Sequence, residues 1–217
     1  MSEVSSMIRP RPHFNASYTV HISPTNNEFG TAMWAAADCW ITEGYELQRI
    51  IGMLYGFAPE RIDLQDQELA TERYDVAMVP PNGMGEEAMK ETIRTALQRH
   101  LSLLLITDHR RRNVYVVTAP DGPKAPLKAV EDTGTTIHVG GGGINMRSGS
   151  MEDFCLMLEG DLDRPVIDET QLQGCYSVEV RREDKTRDQF FEQLRNELGL
   201  LVSSAERDVS LLVVRRR

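Results

Sequence analysis

The chain has little cysteine, few aromatic side chains and fewer cations than anions. Its three cysteines, Cys39, Cys155 and Cys175, are an odd number without CxxC spacing, which argues against a disulfide framework or a zinc site and points to free, mostly buried thiols. Lys and Arg number 24 against 33 Asp and Glu, a formal net charge of -9. Nucleic acid and anionic membrane surfaces both require cationic surface, so neither is expected as a partner. The two basic runs, Arg110 to Arg112 and Arg215 to Arg217, read as a solvated turn and a solvated tail. No window approaches the roughly 18 consecutive apolar residues of a membrane helix, and the opening MSEVSSMIRPRPHFNAS lacks the apolar centre of a secretory signal. A cytoplasmic location is expected. The histidines, His13, His21, His100, His109 and His138, show neither HxH nor HExxH spacing, so no metal is expected. Phosphate loop, dinucleotide fingerprint and nucleophile elbow are missing too, and no cofactor is expected.

What is present is periodicity. Apolar residues make up 41% of 217 positions, enough for one medium domain or two small ones. From Gly149 to Val180 the order of elements is legible. Ser150 and Asp153 form a capping box, and Met151, Phe154, Cys155 and Leu158 make one helical face. Pro165 to Ile167 is a short strand, Asp168 to Gly174 a turn, and Tyr176, Val178 and Val180 alternate as a half-buried strand. Nearer the N-terminus, Tyr18 to Ile22 reads as a strand and Ala32 to Trp40 as a second extended piece. Thr42 or Gly44 is expected to open a helix carrying Leu47, Ile50, Ile51 and Leu54. Ile62 and Leu64, then Tyr74, Val76 and Met78, predict strands, and Met89, Ile93, Ala96 and Leu97 a second helix. Leu103 to Ile106 and Val114 to Val117, separated by polar residues, predict a hairpin.

The two halves answer one another. Leu47, Ile50, Ile51 and Leu54 match Met151, Phe154, Cys155 and Leu158 at one constant offset. Tyr74 and Val76 match Tyr176 and Val178, and Ile93 and Leu97 match Phe190 and Leu194 in a helix capped by Thr186 and Gln189 and ended by Gly199. Offsets change only across loops, where insertions are cheap. The expected fold class is α+β, with two tandem pseudo-symmetric repeats, each a mostly antiparallel sheet with two helices packed on one face. Residues 1–17 form a loose arm, 18–119 the first repeat, 120–143 a Pro/Gly-rich linker and 144–217 the second repeat.

The stretch GGGGINMRSGSMEDFCLMLEGDLDRPVIDETQLQGCYSVEV, with the later LRNELGLLV and SLLVV, resembles the C-terminal half of a soil-associated bacterial family of unknown function, numbered 3738. RYDVAM at Arg73 to Met78, the helix before His100 and Leu101, and GPK at Gly122 to Lys124 extend the resemblance to the first half, although Gln171 to Gln173 replaces the family's glycine-containing turn. The resemblance implies a fold and carries no activity. Each repeat is also similar in element order to short N-terminal modules of secretins and outer-membrane receptors, which bind other proteins, an analogy of fold alone.

Candidate functional residues follow from where two repeats would meet. The run Gly140 to Gly143 lacks the Lys and Ser/Thr of a phosphate loop and reads as a flexible linker. His138 before it, Arg147 after it and Asp168 are the candidate ligand-binding residues if the linker folds over the groove between repeats. Separately, each has an ordinary reading: a loop histidine, a surface arginine and an aspartate bonded to its own turn. Cys155 reads as core and Cys175 as the more accessible thiol. Trp34, Trp40, Tyr45 and Tyr55 could line an apolar pocket or simply fill the core. The expected function is a non-catalytic binding module that accepts an unidentified small molecule or protein in the groove. The alternative is an enzyme of small-molecule biosynthesis using the same groove, which convergence of His138, Arg147 and Asp168 would favour.

Overall fold

The computed structural model describes residues 20–26, 30–36, 39–81, 83–131, 136–140, 143–182 and 185–217. The expected arm 1–17, Tyr18 and the glycines Gly141 and Gly142 lie outside the described residues. The chain is α+β with mostly antiparallel sheets, and it forms two compact units. One comprises Met1–Leu54, Gln67–Leu104 and Arg216–Arg217; the other comprises Tyr55–Asp66 and Leu105–Arg215. No helix among the described residues is long and apolar enough to cross a membrane.

The first unit holds an antiparallel sheet of β1 (His21–Pro24), β2 (Ala32–Ala36), β3 (Cys39–Glu46) and β5 (Arg73–Met78), in the order β1-β5-β3-β2. Alternation decides the two faces of β3: Cys39 and Ile41 cluster with Ala77 on one, and Trp40 and Thr42 point to the other. The helix expected to open at Thr42 or Gly44 starts later, as α1 (Leu47–Tyr55). Gly44 is a bulge residue at φ +68, its N–H donating to Asp75 Oδ1 at 2.7 Å, where a Cβ would sit 2.7 Å from the Gly30 carbonyl. That left-handed backbone continues the strand past the point where a cap was expected. The α1 stripe, Leu47, Ile50, Ile51 and Leu54, is buried as its spacing predicts. Beyond the short α2 (Gln67–Thr71), α3 (Glu86–His100) buries Met89, Ile93 and Leu97. Arg94 of α3 donates through Nε to the Leu54 carbonyl at 2.8 Å, satisfying an orphan acceptor at the end of α1.

The second unit contains two sheets. One is antiparallel, of β7 (Lys128–Val130), β8 (Thr136–Gly140), β9 (Gly143–Gly149) and β11 (Cys175–Arg181), in the order β7-β11-β9-β8. Its registers parallel those of the first unit. Trp40↔Met78, Ile41↔Ala77 and Thr42↔Val76 in one sheet stand where Ile144↔Val180, Asn145↔Glu179 and Met146↔Val178 stand in the other. Both sheets then shift register, before Tyr45↔Tyr74 and Tyr176↔Gly149 respectively. The remaining sheet is ordered β10-β6-β12-β4. Here β4 (Ile62–Leu64) runs parallel to β12 (Leu201–Arg216), and β10 (Val166–Asp168) parallel to β6 (Leu103–Thr118).

The expected hairpin across Thr107 to Asn113 is corrected by β6, a single strand of 16 residues. Its polar middle is paired to neighbouring acids instead of turning: Arg110 Nη1 meets Asp63 at 2.6 Å, and Arg111 Nε meets Glu206 at 3.0 Å. Arg110 to Arg112 are therefore mid-strand residues and not a turn.

Both capping boxes form as read, Ser150 with Asp153 at the start of α4 (Met151–Leu162) and Thr186 with Gln189 at the start of α5 (Arg187–Gln193). The chain after α5 widens into a turn over Leu194–Leu198, and Gly199 at φ +76 ends it. Phe154, Leu158, Phe190 and Leu194 pack with Tyr115, Met146, Tyr176 and Val178 in one core. Burying each such side chain is worth about 1.5 to 3 kcal/mol. Phe154→Ala and Leu194→Ala, both at 0% exposure, should each destabilise by about 2 to 5 kcal/mol through transfer and cavity terms. Denaturant melts check this, and losses below about 1 kcal/mol at both sites would reject the packing.

Candidate functional site

Within the second unit, a cavity of about 500 Å³ opens where residues 56–61 approach α4 and β10. Both halves of the sequence contribute to it. Phe57 and Arg61 come from the segment leading into β4, Asp153, Cys155 and Leu156 from the first turns of α4, and Ile167 and Asp168 from β10. The capping box starts α4 at the cavity rim, and Pro165 ends the connection that delivers β10 beside β6, where the Tyr115 N–H donates to the Pro165 carbonyl at 2.9 Å.

An ion pair holds the two sides together. Arg61 donates from Nε to both oxygens of Glu159, at 2.8 and 3.0 Å, and from Nη2 to the Val166 carbonyl at 3.1 Å. The Val166 N–H returns a bond to Glu159 Oε1 at 3.0 Å. Glu159 is fully buried. Burial pushes its carboxyl above the ordinary glutamate range, and the Arg61 guanidinium and Val166 N–H pull it back. Helical spacing had put Cys155 and Leu158 on the inner face of α4; Glu159 lies one turn beyond Cys155, and that placement was the available signal. Its partner was not legible, because Arg61 is 98 positions away.

Most other ionisable groups in the cavity are already engaged. The Asp153 carboxylate accepts the Ser150 N–H at 2.9 Å. Asp168 accepts the Thr170 N–H at 2.8 Å, the turn bond expected of an aspartate after a short strand. Burial first, then the charges of Asp168 and Glu159, push the Cys155 thiol far up, so it stays protonated and is no nucleophile. Glu169, beside Asp168, belongs to a separate exposed pair with Arg207 at 2.7 Å, and that guanidinium holds its carboxyl below the usual range.

The three candidate ligand residues are placed as follows. Asp168 lines the cavity. Arg147 is exposed on β9 and is not among the lining residues. The backbone of His138 lies in β8 opposite Asn145, and its side chain lies outside the described residues. His138 and Arg147 thus share one strand pair, and Asp168 belongs to another sheet. Cys39 and Cys155 are buried and Cys175 is half-buried. Trp34 pairs with Ile41 and Trp40 with Ala35, so the two tryptophans occupy opposite faces and do not line a common pocket. Among the described residues, no group of three or more His, Cys, Asp or Glu is arranged to hold a metal.

Removing Arg61 would leave Glu159 buried without its cation. Arg61→Ala should cost about 3 to 5 kcal/mol near neutral pH. In that variant the folded-state carboxyl titrates above its unfolded value, so stability is fully present below about 4.5 and is lost as pH rises through the folded value. Denaturant melts across pH should show the deficit shrinking in acid; a pH-independent deficit would contradict the charged pair.

The sequence model of a family described as protein of unknown function (DUF3738) matches residues 48–216. No curated protein and no solved structure matches the chain.

Proposed function

The chain belongs to this family of unknown function, whose description supplies no activity, and on the geometry we propose that it is a non-catalytic binding module with its site in the cavity between residues 56–61, α4 and β10. One observation carries this reading. The cavity is walled by both halves of the sequence, and most of its ionisable groups serve the fold: Asp153 caps a helix, Asp168 closes a turn, and Arg61 neutralises Glu159. The buried Cys155 has no thiolate to offer. Phe57, Leu156 and Ile167 supply apolar wall, while Glu152 and Asp168 make the rim acidic. A neutral or cationic small molecule, or such a side chain of a protein partner, suits that lining.

We also propose that the chain is a tandem duplication. The shared strand orders, the matching registers and the paired register shifts support it, as does the reciprocal attachment of β4 to β12 and β10 to β6. On this reading Leu47 stands over Met151, Tyr74 over Tyr176 and Leu97 over Leu194. The cavity is then a groove to which each repeat gives one wall.

A thermal-shift screen of neutral and cationic small molecules tests the site. A hit should lose most of its shift in Asp168→Asn, which removes charge and keeps an acceptor for Thr170. His138→Ala and Arg147→Ala decide whether the site reaches β8 and β9. Unchanged binding in Asp168→Asn would remove the cavity from the account, and multiple turnover abolished by any of the three changes would establish the enzyme alternative.

A further inference from the structure

A second cavity in the same unit, of about 510 Å³, lies over the middle of β6 and β12 and shares no lining residue with the first. Glu60 enters it from the turn before β4, Arg111 and Arg112 from β6, Asp163 and Arg164 from the turn before β10, and Glu206 from β12. Arg111 and Glu206 satisfy each other at 3.0 Å. Four charged groups of the lining are left over, the exposed Asp163 among them. Glu60 has one carboxylate oxygen, Oε2, that is closed to solvent and without a hydrogen-bond partner, an expensive state for an acceptor of that strength, so a ligand in the cavity meets this carboxylate through its other oxygen. Arg112 is exposed and has no acidic partner among the described residues. Arg164 likewise has none there, and its guanidinium lies over the Tyr115 ring, 4.8 Å from the centroid. That contact holds the guanidinium on the Tyr115 face of β6, opposite the face of Arg112.

A simple anion would meet the carboxylates of Glu60 and Asp163, and a simple cation would meet Arg112 and Arg164. A ligand carrying both charges answers both sets. We propose that this cavity binds a small zwitterion of the amino-acid and short-peptide class, its ammonium group donating to Glu60 and its carboxylate accepting from Arg112. The volume lies within the range of small-molecule sites, roughly 300 to 1,000 Å³. Charge-assisted bonds at the two ends would set orientation as well as affinity. The site is separate from the cavity proposed above, and either can fail without the other.

Calorimetric titration of the full chain with dialanine and glycylglycine, alongside their N-acetylated and C-amidated forms, provides the test. The zwitterions should bind saturably, and blocking either end should weaken binding at least about tenfold, the scale of one lost charged hydrogen bond. Glu60→Gln should weaken the zwitterions to the same extent and make acetylation cost nothing further; Arg112→Gln should do the same for amidation. Asp168→Asn should leave these affinities unchanged. Absence of saturable binding at millimolar concentration, equal affinity for blocked and unblocked probes of the unsubstituted protein, or unaltered affinity in both variants would overturn the proposal.

Discussion

The reciprocal attachment of two short parallel strands to two long ones is the constraint on which the second unit depends. Ile62 to Leu64 lies against Leu212 to Val214, and Val166 to Asp168 lies against Tyr115 to Val117. A three-residue strand has little to hold it by itself. It gains its place through main-chain bonds on either side, such as Gln65 N–H to the Val214 carbonyl and Glu169 N–H to the Val117 carbonyl, both 2.9 Å, and through side chains buried on the sheet. Val166 is 1% exposed and Ile62 7%. The two cavities described above each take part of their wall from the segments that lead into these strands, so their shape depends on this pairing. Arg61 and Glu159 tighten it further by binding the Val166 backbone from both its N–H and its carbonyl.

Local chemistry was legible in the sequence because it is decided within a few residues. The capping boxes at Ser150 and Thr186, the stripe on α1, the alternation of Tyr176, Val178 and Val180, and the helix end at Gly199 each depend on near neighbours. The misreadings came where distant partners decided the outcome. Thr107 to Asn113 has the polarity of a turn, yet Asp63 and Glu206 supply counter-charges that let it run as strand. Gly44 looks like a helix start until Asp75, from the neighbouring strand, takes its N–H. A single residue's polarity does not distinguish a loop from a charged ladder rung.

The candidate site was legible in part for the same reason. Asp168 follows a short apolar strand and precedes a turn, and both features place it at a strand end beside α4. Arg61 and Glu159 gave no paired signal, because only the fold brings them together. The buried pair is also ambiguous as a sign of function. Such pairs serve structural specificity as readily as chemistry, and here Nε and Nη2 of Arg61 and both oxygens of Glu159 are directed at backbone or at the partner. The placement of groups that already serve the fold around an open cavity is what separates a binding reading from a catalytic one.

If the two short strands position the cavities, they should open only when the whole unit unfolds. Native-state hydrogen exchange measures this at the amides of Gln65, Tyr115 and Glu169, which close the short strands onto the long ones. Protection at these amides should equal that of the Val178 and Val180 amides in the core. Rapid exchange at Gln65 and Glu169 while that core stays protected would show strands that detach locally, and would contradict the claim that they fix the cavity walls.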